Sequence, residues 1–286
     1  MKVCVTGASG KAGQAVVRDL LAHGHEVVAI DVAAGPADLG VRVLQVDVTD
    51  YGQTVEALAG CEGVVHLANI PSGDISTPAH TFTVNTAMNS NIFLAAALLK
   101  LKRVVWASSE TTLGLPFETP PLYAPIDEAH FPLPTSTYAL SKVVGETMAA
   151  HISEWSGIPF VGLRFSNIFR PDEYENLRGA WGDPAARKWN LWSYIDVRDV
   201  AQSCRLGLEA PVTGSHNVII AAIDTTMTTP TAELMQAVFP DVEIRHELGD
   251  YQSLFAIEAA RELLGFEPRH SWRQHISDAT QAPLLR

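Results

Sequence analysis

The sequence predicts an α/β protein: a doubly wound parallel sheet with a small, loop-rich carboxy-terminal lobe. Three observations predict it. Short valine-rich runs alternate with helix-period segments over the first two-thirds of the chain, and such continuously apolar strands belong to parallel sheets covered on both faces. A Gly-x-x-Gly-x-x-Gly turn follows the first run and opens the first helix. Beyond Arg164 the alternation breaks up, with Pro171, Pro184, Pro211 and Pro230 interrupting short elements.

Taken in order, Val3-Cys4-Val5 reads as a strand and Ala12 to Leu21 as a helix. Val27 to Ile30, Val41 to Val46 and Val64 to Leu67 read as the next three strands. Ala79 to Leu99 has the period of a long helix, and Val104 to Ala107 is a fifth strand. Thr137 to Trp155 is a further helix and Phe160 to Leu163 a sixth strand. The expected division places the sheet domain at 1–165, with 194–210 crossing back to it, because an apolar helix follows Asp196. Segments 166–193 and 211–286 are expected to form the lobe.

Composition narrows the function classes. With 20 basic against 32 acidic side chains the formal net charge is -12. That balance repels phosphate backbones and acidic lipid, so neither nucleic acid nor a membrane surface is an expected partner. Cys4, Cys61 and Cys204 are few, odd in number and far apart, which favours reduced thiols in a cytoplasmic protein over a disulfide framework. The first strand starts at Lys2, leaving no room for a signal peptide, and no apolar run is expected to reach the length of a membrane span. His23 and His25 lack a carboxylate or cysteine partner at ligand spacing, so no metal site is expected. Gly-x-Ser-x-Gly is absent, which removes a hydrolase elbow.

The glycine turn, Thr6-Gly7-Ala8-Ser9-Gly10-Lys11-Ala12-Gly13, suits a phosphate cradle. Gly7 permits a tight turn, Gly10 lets backbone approach a diphosphate, and Gly13 lets the helix pack close to the sheet. The phosphates then sit over the positive end of the helix dipole. Asp31 ends the second strand, where a carboxylate accepts both hydroxyls of an adenosine ribose and repels a ribose phosphate. Val32 and Ala33 offer no arginine to reverse that preference, so the expected cofactor is NAD rather than NADP. Asp47 and Val48 after the third strand would meet the adenine, and Leu67, Ala68 and Asn69 after the fourth would run beside the diphosphate and ribose.

In Tyr138-Ala139-Leu140-Ser141-Lys142 a tyrosine and a lysine stand at i and i+4, on one helix face. A phenol with its reference pKa of about 10 is a poor base at neutral pH. A neighbouring ammonium is expected to stabilise the phenolate and lower that value.

With those motifs in hand, the chain resembles an extended short-chain dehydrogenase/reductase of the NAD-dependent epimerase/dehydratase family, whose fold is Rossmann-type. The likeness rests on TGASGKAG at Thr6, HLAN at His66, ASSETTLG at Ala107, YALSK at Tyr138, LRFSNIFRP at Leu163 and SYIDVRDVA at Ser193. It implies that Tyr138 is the acid/base, Lys142 its electrostatic partner and Ser109 the hydroxyl that polarises the reacting oxygen. Ser9, Lys11, Ala12 and Asn85 would join the cofactor site, with Phe165 and Ser166 against the nicotinamide. Glu110, Thr111 and Asn167 would meet substrate. Arg170, Arg178 and Arg245 are candidates for anion contacts there. Trp192 stands where UDP-galactose epimerases usually carry an arginine that clamps the substrate diphosphate, and is placed among the substrate contacts. Trp181, Trp189 and Trp192 read either as lobe core or as a sugar platform. A homodimer through Ala79 to Leu99 and Thr137 to Trp155 is also implied.

Three functions compete at this point. Hydride transfer that ends the reaction makes a dehydrogenase of a sugar or sugar acid. Hydride transfer that is reversed on the other face of a ketone makes a nucleotide-sugar epimerase with recycled NAD. A cofactor-binding regulatory protein is the third reading, and intact Ser109, Tyr138 and Lys142 weigh against it. The missing arginine at Trp192, the short lobe and Leu113 within ASSETTLG, a stretch resembling uronate dehydrogenases, favour the dehydrogenase. Asn167 and Arg245 lean toward a nucleotide sugar, and the balance places the dehydrogenase slightly ahead.

Overall fold

The structure, a computed structural model, describes residues 1–71 and 75–276. Among the described residues, eleven strands and seven α-helices run in the order β1 (Lys2–Thr6), α1 (Lys11–Ala22), β2 (Glu26–Asp31), β3 (Val43–Gln45), α2 (Tyr51–Leu58), β4 (Gly63–His66), α3 (Pro78–Leu99), β5 (Arg103–Ser109), β6 (Tyr123–Ala124), α4 (Thr137–Ser156), β7 (Phe160–Phe165), β8 (Ile168–Phe169), β9 (Ile195–Asp196), α5 (Val197–Glu209), β10 (Ser215–Ile220), α6 (Thr231–Val238), β11 (Glu243–Ile244) and α7 (Glu258–Leu264).

Seven strands make one parallel sheet, ordered β10-β7-β5-β4-β1-β2-β3. The order reverses between β1 and β4, and in such sheets the crevice beyond the carboxyl ends at that point is where a ligand sits. Alternation along each strand builds two cores, one per face. Val3, Val5, Val105 and Val161 join Val16, Val17, Val200 and Cys204 of α1 and α5. Cys4, Val64, Val104 and Trp106 join Ile92 and Phe93 of α3 and Ala149 and Ile152 of α4. A third, smaller core in the lobe gathers Tyr174, Leu177, Tyr194 and Trp272.

Three features depart from expectation. β10 pairs in register with β7, Ser215 opposite Phe160, so the first part of 211–286 is an edge of the main sheet and not lobe. Its polar start and the preceding Pro211 hide the buried run Val218-Ile219-Ile220. α2 carries no expectation because eight residues with a glycine in the first turn give little period; the Asp50 carboxylate caps it by accepting from the Gln53 N–H. α3 is 22 residues long and holds an 18-residue window with a mean hydropathy of 1.2, so it passes the length and composition test for a membrane span, against expectation. Here it packs on α4, α2 and β4. Residues 277–286 of the expected lobe lie outside the described residues.

Candidate active site

A cleft of about 1110 Å³ opens at the sheet reversal, lined from the glycine turn, the ends of β2, β4, β5 and β7, and the start of α4. Small-molecule sites usually enclose about 300–1,000 Å³, so this one suits a dinucleotide with a substrate beside it.

One end of the cleft is a backbone cradle. Gly7 has φ +68°, and a Cβ there would lie 2.8 Å from the Ala68 nitrogen; a Cβ on Gly13 would lie 2.0 Å from the Gly7 carbonyl oxygen. No side chain caps the amino terminus of α1 at Gly10, which leaves its N–H groups for an anion. Asp31 lines the cleft. Its Oδ2 accepts from the Ser9 N–H at 3.0 Å and its Oδ1 from the Ala33 N–H at 3.0 Å, so the carboxylate is held in place with lone pairs to spare. Gly10, Lys11, Ala12, Asp47, Val48, Leu67, Ala68 and Asn69 line the same wall. Asn85 does not line it. It is 1 % exposed, and its amide accepts from the Ile70 N–H and donates to the Ile70 carbonyl, so it braces the loop that does. These groups fit the two phosphates and the ribose of a dinucleotide.

At the other end, Ser109, Tyr138, Phe165, Ser166 and Asn167 come together along the wall. The Ser109 hydroxyl accepts from the Thr111 N–H and hydroxyl at 3.1 and 2.9 Å, and its proximity to the Tyr138 phenol favours the ionised form. Burial outweighs that effect and, with the charge of Glu110, pushes the phenol up to about 12. The expected lowering by Lys142 is therefore not what this structure shows. The Lys142 ammonium lies 5.5 Å from the Tyr138 ring centroid and donates to the Ala107 carbonyl at 2.8 Å. Its own pKa is lowered to about 7 by burial, against the charge of Glu146. Ser108 turns away and donates to Glu146 at 2.6 Å.

The predicted anion contacts are not brought to the cleft. Trp192 is fully buried, donating to the Pro184 carbonyl and packing on Phe239. Arg245 stacks on Tyr123 at 3.1 Å from the ring centroid. Arg170 pairs with Asp172 and Glu173, and Arg178 with Glu175. None of these arginines stands in a segment with a readable helical or strand period, so only folding decides where its guanidinium lies. Of the three tryptophans, Trp189 lines the cleft, while Trp181 packs on Trp272.

A polar cluster without a local sequence signal stands behind the substrate end. Arg187 Nη2 donates to the Asn167 carbonyl oxygen of the side chain at 3.2 Å, and its guanidinium lies between the rings of Phe169 and Trp189. Its Nε is buried without a partner. Arg187, Leu191 and Trp192 all adopt left-handed backbone, φ 60°, 52° and 55°. Non-glycine residues there cost about 1–3 kcal/mol each and gather at ligand sites. Asn190 and Ser193 belong to the same cluster.

The match to known proteins agrees with this geometry. Residues 3–222 fit the model of the NAD dependent epimerase/dehydratase family. The chain belongs to that family. Among the relatives of this epimerase/dehydratase family member are a UDP-glucose 4-epimerase of Corynebacterium glutamicum, 26% identical over 98% of this chain and 94% of the relative. A uronate dehydrogenase of Pseudomonas putida is 28% identical over 78% of this chain and 76% of its own. A short-chain dehydrogenase/reductase superfamily protein of Agrobacterium tumefaciens, solved with bound NAD, superposes with a TM-score of 0.75 at 22% identity, covering 98% and 96% of the two chains. The family member described here is NAD-dependent, and the cradle above is the part of it that fits the dinucleotide.

Proposed function

We propose that this enzyme is an NAD-dependent dehydrogenase that oxidises a carbinol of a free sugar or, preferentially, a sugar acid. NAD, held by the glycine turn and Asp31, would supply the hydride acceptor. Ser109 donates to the carbinol oxygen and orients it. As phenolate, the form that Ser109 favours against burial, Tyr138 would take the hydroxyl proton while the C–H electron pair leaves as hydride to the cofactor, so that a carbonyl remains. The Lys142 ammonium, 5.5 Å from the phenol ring centroid, would supply positive charge there and would be the residue to hold the nicotinamide ribose. The 1–165 domain with the 194–210 crossover would hold the cofactor, and the lobe would shape the substrate end.

One observation carries this reading over the epimerase one. Among the described residues no arginine lines the cleft, and Arg187 stands one hydrogen bond behind its wall, on Asn167. A single guanidinium suits one carboxylate; a nucleoside diphosphate needs several charge-assisted contacts. A nucleotide-sugar epimerase is the second reading, favoured by the end-to-end match to the Corynebacterium relative.

NADH absorbance with NAD and a panel of hexuronates, hexoses and UDP-sugars, with products separated by chromatography, tests the choice. Stoichiometric NADH from a free sugar or sugar acid is expected. Interconversion of a UDP-sugar without net NADH would replace this reading with the epimerase. We further infer a homodimer, supported by exposed Leu94 and Leu98 on α3 and Leu140 on α4, and a cytoplasmic location, supported by the free thiols of Cys4, Cys61 and Cys204.

A further inference from the structure

Glu110 opens the short 3-10 turn that follows Ser109, and its carboxyl is 4 % exposed yet lines the cleft. Its Oε2 accepts from the Ser166 hydroxyl at 2.6 Å and its Oε1 from the Asn190 amide at 3.3 Å. Both donors are neutral. The charged or titratable groups acting on it are Arg187, from the left-handed segment, and Tyr138, from α4; the Asn167 N–H is the remaining partner. A buried carboxyl without a direct cation disfavours its charged form, and burial lifts Glu110 to about 7.

The hydroxyls beside it suit either protonation state. Ser166 Oγ lies 3.0 Å from Ser193 Oγ. With Glu110 ionised, Ser166 donates to the carboxylate; with Glu110 neutral, the acid donates to Ser166, whose proton turns to Ser193. Hydroxyl rotors make that exchange without moving a heavy atom.

We propose that Glu110 is a specificity-determining residue that couples a proton to the charge of the substrate: an anionic substrate binds with Glu110 as the neutral acid, and a neutral substrate binds with it in either form. This rests on the sugar-acid reading above. A substrate carboxylate drawn to the Arg187 end adds a like charge near Glu110 and neutralises the guanidinium that favours its ionised form. Both effects strengthen proton binding at Glu110. Below about pH 7 the acid is already neutral and anionic substrate binds at full strength. Above that pH each unit costs a hexuronate about tenfold in affinity, and costs a neutral hexose nothing through this group.

The test is the ratio of kcat/KM for a hexuronate to kcat/KM for the matching hexose, measured with NAD from pH 6 to 9. Division cancels the titration of Tyr138 and Lys142, which both substrates share. The ratio is expected to fall at least tenfold between pH 7 and pH 8.5 in the wild type and to stay flat in Glu110→Gln, whose amide can keep contacts to both Ser166 and Asn190. Calorimetry of the hexuronate binding to the protein–NADH complex at pH 8, in two buffers of different ionisation enthalpy, should count about one proton taken up per substrate. It should count none in Glu110→Gln or with the hexose. A flat wild-type ratio, a slope that persists in Glu110→Gln, or no proton uptake overturns the coupling while leaving the dehydrogenase intact. Oxidation of neither sugar, or of the hexose alone, overturns the sugar-acid reading itself.

Discussion

At Asp31 both carboxylate oxygens already accept backbone N–H groups, from Ser9 and Ala33, so the side chain is oriented before any ribose arrives. Hydrogen bonds to a charged acceptor are worth about 1.5–3 kcal/mol. Asp31→Ala should therefore weaken NADH binding about ten- to a hundredfold and NADPH binding far less, as read by fluorescence titration; equal losses would show that Asp31 does not touch the ribose. Tyr138 presents the opposite case, a residue whose loss should spare binding. Tyr138→Phe should hold the NADH dissociation constant within a few-fold while turnover falls by roughly 10²–10⁴. Retained turnover would remove Tyr138 as the proton acceptor. The residue identities were legible in both cases. The direction of the Tyr138 pKa was not, because burial around the phenol outweighs the charge four positions along the helix.

Helix α4 owes its place to a second line of groups on the face that carries Tyr138 and Lys142. Glu146, one turn beyond Lys142, accepts from Ser108 on β5 and makes a two-point ion pair with Arg164 on β7, 2.8 Å at each bond. Both partners are nearly buried, at 8 % and 5 % exposed. Removing one member of such a pair strands the other, at about 3–5 kcal/mol, whereas replacing both with apolar groups is often close to neutral. Glu146→Leu should cost about that much in denaturant unfolding, and adding Arg164→Met should recover most of it. Costs that simply add would mean that the pair does not bind α4 to the sheet. α1, by contrast, follows from local pattern: the glycines set its start and its buried stripe Val16, Val17 and Leu20 sets its face.

For the whole molecule, the open question is what covers the outer faces of α3 and α4. Leu98 is 60 % exposed and Leu94 40 %, on a helix whose other large apolar side chains are buried or half-buried. If these helices pair with a second copy, sedimentation velocity should give a dimer for the wild type and a monomer for Leu98→Glu, with NADH binding unchanged. A wild-type monomer at micromolar concentration would end the homodimer proposal. The same scale explains why β10 and the Arg187 cluster were not legible. β10 is a strand of the main sheet only because Ser215 to Ile220 lie beside β7, and Arg187 meets Asn167 and the environment of Glu110 across twenty and more residues of irregular chain.

By itself the sequence determined the parallel sheet, the glycine turn and the Tyr138 and Lys142 pair, since each is written in short-range spacing: alternation of apolar runs, glycines at a strand-to-helix turn, one helical repeat. Ser109 was reached only through the family resemblance. The tertiary structure alone decided which charges reach the substrate. Guanidinium groups sit on long, flexible stems in loops without period, and their final partners, Tyr123 for Arg245, Glu173 for Arg170 and Asn167 for Arg187, are set by how the lobe closes over the sheet.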